Sequence, residues 1–302
     1  MVPFDAEKLN RLMEQAGVEL VLACTRHNVR YLTGGYYYHF HANATRMGRT
    51  QYLPFVGIPR GRFEKAFYVC RAEERGQLET AVPWISHRVD AVRGTVPAAE
   101  GLIRAVQQLG LAEAAIAVEL PFLPADAFLA LQHGLPKARF TDATAILDEL
   151  RAVKTPTELA HLRTVYDRVA EAVQAAFAAG KPGITTAEIA RCVESEMARR
   201  DTVFLYALVC AGPGRLRAPS SARWEQGRVL HIDAGGETGD YLADICRMGC
   251  LGEPSRLARE LHSACIEVQG RVRKMVRPGL PCRELLLEGE RAVAEHLFSQ
   301  YG

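Results

Sequence analysis

Gly227-Arg228-Val229-Leu230-His231-Ile232-Asp233-Ala234-Gly235-Gly236-Glu237-Thr238-Gly239-Asp240-Tyr241-Leu242-Ala243-Asp244-Ile245 carries the sharpest chemical signal in the chain. Val229 to Asp233 has the apolar content of a strand, and Tyr241 to Arg247 reads as a second one. The turn-rich run Gly235 to Asp240 between them predicts an antiparallel pair. Asp233 and Asp244 then come close on adjacent strands. Two neighbouring carboxylates repel unless something positive lies between them, and hard divalent cations favour such oxygen donors. The pair reads either as a metal-bridging couple or as two aspartates at strand ends, where Asp is common. Glu237 and Asp240 fall in the expected turn and read as solvated, and Cys246 and Cys250 read as small residues near a strand end.

Working upstream, Thr155-Pro156 has the form of an N-cap followed by a first-turn proline. A long helix is predicted from there to about Ala179, buried along Leu159, Leu162, Val165, Val169 and Val173. Thr185-x-x-Glu188 is a capping box for a second helix running to about Arg200, and Phe204 to Cys210 reads as a strand. An internal repeat is visible here. Lys181-Pro182-Gly183-Ile184 with Glu188-Ile189 is echoed by Arg277-Pro278-Gly279-Leu280 with Glu284-Leu285, 96 residues on (278 − 182 = 96). Each copy follows a long amphipathic pattern, which predicts two similar halves. Only 24 residues follow Pro278 (302 − 278 = 24), so the second half is expected to have its helices without its strands, as in a chain cut short at its C-terminus. His296 lies in an amphipathic run, Glu284 to Ser299, and reads as a helix-surface imidazole.

Residues 5 to 150 alternate helical and strand patterns: a helix around Leu9, Leu12, Met13 and Ala16, then a strand over Leu20 to Ala23. A strand over Ala66 to Cys70 and helices over Ala72 to Ala81 and Ala98 to Leu109 follow. Last come a strand over Ala115 to Val118 and a helix over Ala125 to Gln132. Strands separated by helices imply an α/β layer domain. Between Leu32 and Pro59 the pattern breaks into Gly34-Gly35-Tyr36-Tyr37-Tyr38-His39-Phe40-His41. Long irregular segments in compact domains are often functional. His39 and His41 alternate as on one strand face, suited to touching metal or substrate or to forming a polar, partner-facing edge.

Composition excludes several classes. With 302 residues, 48% of them hydrophobic, and 37 basic against 35 acidic side chains (37 − 35 = +2), neither disorder nor a disulfide scaffold fits. Near-neutrality argues against a phosphate track for nucleic acid, and Arg271, Arg273, Lys274 and Arg277 read as a solvated helix face. No run of 18 apolar residues and no secretion-type start occur, which points to the cytoplasm rather than a membrane. The eight cysteines are scattered without a CxxC pair, so reduced thiols are expected.

Gly227 to Arg247, with its Asp-x10-Asp spacing, resembles the first metal-ligand segment of the creatinase, aminopeptidase P and prolidase family of pita-bread metallohydrolases. Glu149 to Arg163 resembles the opening of that family's catalytic domain, and Asn28-Val29-Arg30-Tyr31-Leu32-Thr33-Gly34 is similar to its N-terminal domain. The resemblance implies an α/β creatinase-like domain over 1–148. It implies an α+β pita-bread domain over 149–302 whose second half is incomplete. It also implies a dinuclear site of two Asp, one His and two Glu, with manganese, cobalt, zinc or iron, that activates water against a peptide bond next to proline. Asp233 would ligate one ion and Asp244 would bridge both, while the remaining three ligands are expected in strands that this chain lacks, so that it would not hold both ions fully. Family peptidases also carry a His in the loop before the first Asp. Here that loop, Ala211 to Ser221, carries Arg215 and Arg217 instead, either as a solvent-exposed loop or as receptors for an anionic substrate. Relatives with other chemistry, creatinase and a dimethylsulfoniopropionate lyase, keep a small-molecule substrate open, and an inactive relative serving as a dimerisation partner is the third reading. Family members dimerise, and the Tyr36 to His41 segment, with Tyr37 and His39, is the candidate contact to substrate or to the second subunit of a homodimer.

Overall fold

The computed structural model describes residues 2–38, 53–82, 84–214 and 216–298. The chain divides into two compact units, residues 1–159 and 160–302. Residues 36–38 of the irregular Tyr36 to His41 segment are described and lie in no helix or strand, while His39 and His41, read as alternating on one strand face, fall outside the described residues.

In the first unit Asp5 caps α1 (Ala6–Gln15) by accepting from the Lys8 N–H at 2.9 Å. β1 (Leu20–Ala23) follows and is buried along its whole length, as a strand covered on both faces must be. Then come α2 (Arg26–Thr33), β2 (Phe55–Pro59), β3 (Phe67–Cys70), α3 (Arg75–Ala81) and β4 (His87–Asp90). The unit closes with α4 (Thr95–Gln108), β5 (Ala115–Val118), α5 (Ala125–Gly134), β6 (Arg139–Asp142) and α6 (Thr144–Ala152). The strands form one six-stranded mixed sheet, ordered β4-β3-β2-β1-β5-β6. Alternate residues of β1 feed two separate cores: Val21 and Ala23 pack with α1, α2, α3 and α6, and Leu20 and Leu22 with α4 and α5. The result is the expected α/β layer arrangement.

One carboxylate ties this sheet together. Glu119, directly after β5 and 2% exposed, accepts from the Cys24 N–H (2.6 Å), the Thr25 N–H (2.9 Å), the Thr25 hydroxyl (2.6 Å) and the Asn28 amide (2.6 Å). It thus satisfies donors at the start of α2 that would otherwise lack partners. Burial, and then the Glu119 charge, push the Cys24 thiol well above its ordinary pKa.

α7 (Pro156–Ala178), which from residue 160 on belongs to the second unit, begins as predicted: Thr155 accepts from the Glu158 N–H and Glu158 accepts from the Thr155 N–H. β7 (Ile184–Thr185) and α8 (Thr186–Ala198) follow, with the Thr185/Glu188 capping box formed. β8 (Val203–Ala211), β10 (Val229–Thr238) and β11 (Tyr241–Cys250) make an antiparallel sheet ordered β11-β10-β8, while β9 (Arg223–Trp224) pairs with β7. Val165, Val169 and Val173 of α7 and Ile189, Val193 and Met197 of α8 pack against Val209, Leu230, Ile232, Ala234, Ala243 and Ile245 on one sheet face. α9 (Arg256–Met275) and α10 (Cys282–Val293) come last.

The sequence repeat is a structural repeat. Each Pro-Gly turn joins two helices, and Gly183 and Gly279 hold φ of 84° and 83°, the left-handed conformation glycine adopts without strain. Arg271, expected on a solvated face, instead clamps the two last helices by donating to Glu288 of α10 (2.6 Å) and to Glu295 (2.6 Å). Among the described residues no helix is long and apolar enough to cross a membrane, and all eight cysteines are free.

Candidate active site

The β10–β11 hairpin sets the site. Its ten residue pairs run from Val229↔Cys250 to Thr238↔Tyr241, closed by Gly239 and Asp240 with φ of 56° and 73°. Positive φ at both central residues is the two-residue turn whose twist matches that of the strands. This corrects the sequence reading. The strand continues through Gly235, Gly236 and Glu237, and the turn is only two residues long. Glu237, read as solvated, is 6% exposed within β10.

Alternation leaves one face of the sheet to the core and gives the other to the site. Register places Cys210, His231 and Met248 side by side, then Leu208, Asp233 and Cys246, then Tyr206, Gly235 and Asp244. Asp233 and Asp244 therefore share a face as diagonal neighbours, and Asp244 is exposed rather than enclosed by apolar packing.

The glycine pair serves both faces. A Cβ on Gly235 would lie 2.4 Å from the Tyr206 ring, so the ring occupies the space that a side chain would fill. The Tyr206 hydroxyl donates to Asp244. Burial first, then this hydrogen bond and the charges of Asp244 and Asp233, push the Tyr206 phenol up to about 12. On the opposite face, a Cβ on Gly236 would lie 2.8 Å from Val169 and Thr202, where α7 presses on the sheet.

Asp233 forms an ion pair with Arg217. The loop that carries Arg217 is pinned to the sheet through its main chain: the Val209 N–H donates to the Arg217 carbonyl at 2.7 Å, and the Gly212 N–H to the Val229 carbonyl at 2.8 Å. The Cys210 thiol adds a bond to the Gly214 carbonyl at 2.6 Å. A positive group beside Asp233 is thus supplied by the protein itself. Beside it, His231 Nε2 lies 2.9 Å from Cys246 Sγ. Partial burial and the Asp233 charge raise the Cys246 thiol above its ordinary value.

Of the residues singled out in the sequence, Asp233, Asp244 and Arg217 meet on this face, and Arg215 lies outside the described residues. Tyr37 belongs to the first unit, where it packs on the core and burial pushes its phenol up to about 12. His296 sits 3.3 Å from Glu267 on the helical surface, as expected. Tyr206 and the His231–Cys246 pair escaped the sequence reading; the unoccupied side-chain space at Gly235 was the signal for Tyr206.

The two carboxylates fit a hard divalent cation in donor chemistry and in sharing a face. Among the described residues no group of three or more His, Cys, Asp or Glu side chains is arranged to hold an ion, so the full dinuclear ligand set is not assembled there.

Two family models match the chain: Creatinase/Prolidase N-terminal domain over residues 6–153 and Metallopeptidase family M24 over residues 160–302. Its fold matches the Xaa-Pro dipeptidase from Bacillus anthracis (TM-score 0.79, 20% identity, 98% of this chain and 79% of that one). It also matches a dipeptidase from Pyrococcus horikoshii OT3 (TM-score 0.82, 18% identity, 98% and 79%). An uncharacterized peptidase of Staphylococcus aureus (strain USA300) is 21% identical over 169 residues, 54% of this chain and 48% of that protein. The match thus spans about half the length of that curated relative.

Proposed function

For a chain that belongs to the M24 metallopeptidase family, with a creatinase/prolidase N-terminal domain ahead of a pita-bread domain, we propose a metal-dependent Xaa-Pro peptidase. The observation that carries this reading is the pair Asp233 and Asp244 on the open face of the β10–β11 hairpin. These two residues would hold the cation, manganese, cobalt, zinc or iron being the metals expected, and a bound ion would supply an acidified water and a polarised scissile carbonyl.

The remaining roles fall to the chain's own side chains. Tyr206 donates to Asp244 and so lies beside the proposed ion position. Arg217 offers a fork of donors suited to a substrate carboxylate, with Arg215 in the same loop. An Arg keeps its proton at working pH, so this loop orients substrate and does not shuttle protons. Tyr37 and His39 are assigned to substrate contact or to the subunit contact of a homodimer that acts in the cytoplasm.

Assaying a series of Xaa-Pro dipeptides with manganese on the full-length protein tests the reading. Turnover that is lost in Asp244→Asn supports it. The arginine on Asp233 also favours a second reading within the fold, hydrolysis or lysis of a small zwitterion. Turnover of such a compound with none of the dipeptides overturns the peptidase.

A further inference from the structure

Asp233 is held in a way that bears on how the site takes up its ion. Its side chain is 20% exposed with Arg217 in place. The guanidinium is delivered to it by a loop anchored to β8 through the Val209–Arg217 hydrogen bond. Guanidinium and cation need the same carboxylate lone pairs, so full engagement of one weakens the other. Arginine is weakly hydrated and stays charged, so this competition does not relax with pH as it would for an imidazole.

We propose that Arg217 is a built-in competitor of the divalent ion for Asp233, and that the guanidinium released when the ion binds becomes the receptor for a carboxylate ligand. Ion and carboxylate then bind cooperatively, each raising the other's affinity by the same factor. The inference rests on the metal reading above, and makes Arg217 the residue that couples ion loading to substrates with a free carboxylate.

Calorimetric titration of the full-length protein with Mn2+ tests it directly. Arg217→Gln should bind Mn2+ about fivefold more tightly than wild type, the upper range for a partly exposed ion pair. Arg217→Lys, which keeps the charge and loses the fork, should fall between the two. Arg247→Gln removes a positive charge from β11 without touching Asp233, and should change the affinity by less than about 1.5-fold at physiological salt. Saturating proline, as the carboxylate probe, should tighten Mn2+ binding to wild type about threefold and leave Arg217→Gln unchanged. Equal affinities for wild type and Arg217→Gln, or an equal gain in Arg247→Gln, overturn the competitor and leave the metal reading standing. No Mn2+ binding by any of the proteins overturns both.

Discussion

The ring of Tyr206 lies across Gly235: a Cβ there would sit 2.4 Å from Cε1, and the hydroxyl at the far end of the ring reaches Asp244 on the next strand. Gly235→Ala therefore displaces the ring and breaks the bond to Asp244. The Tyr206 phenol should fall from about 12 toward its ordinary 10.0, at a stability cost of about 1 kcal/mol. Ultraviolet titration, with Tyr206→Phe subtracted to isolate the residue, reads the shift. An unchanged Tyr206 titration would show that the ring does not depend on the glycine.

Gly236 answers to the other face. Its missing Cβ lets Val169 and Thr202 approach to where an alanine methyl would be 2.8 Å from each. Gly236→Ala should cost about 1–3 kcal/mol by overpacking, and adding Val169→Ala should recover part of that loss. Urea midpoints of the two single variants and the double variant decide the point; simple additivity contradicts it.

Glu119 satisfies four donors at the start of α2. Glu119→Ala leaves the buried Cys24 N–H and Asn28 amide, and with them the part-buried Thr25 donors, without this acceptor, and should cost about 3 kcal/mol. Glu119→Gln, which keeps one acceptor oxygen, should cost less. A loss under about 1 kcal/mol for the alanine variant rules out this account.

The Cys246 thiol is raised above its ordinary 9.0 by partial burial and then by Asp233, so its thiolate is scarce near neutrality and appears only as pH rises past that value. Mass-spectrometric mapping of iodoacetamide labelling in metal-free protein should find Cys246 reacting with a midpoint above pH 9.0, and Asp233→Asn should lower the midpoint. A midpoint at or below 9.0 would falsify the assignment.

Much of this was legible because the signals were local. The Thr185/Glu188 box, the Thr155-Pro156 start, and the apolar flanks of Asp233 and Asp244 each state their structure within a few residues. The Gly235-Gly236-Glu237 run misled for a physical reason. Glycines signal turns when they supply positive φ, but these two remain extended and are glycine because Tyr206 and Val169 need the room, a fact about partners distant in sequence. The edge strands β4, His-Arg-Val-Asp, and β6, Arg-Phe-Thr-Asp, carry polar exposed ends and too little apolar alternation to be read as strands. The Glu119 network was hidden because two of its four donors are main-chain N–H groups, which no residue type announces.

Among the described residues β11 is an outer strand of its sheet, ten residues long, with Leu242 and Met248 each more than half exposed. Such a border invites a like strand from another molecule to add to it, and charged side chains are what discourage this. Asp244 and Arg247 are the charges that β11 carries. Neutralising Asp244 thus removes a gatekeeper against self-association along with a proposed ligand. An inactive Asp244 variant is informative about the ligand only once light scattering has shown it to be as well dispersed as wild type.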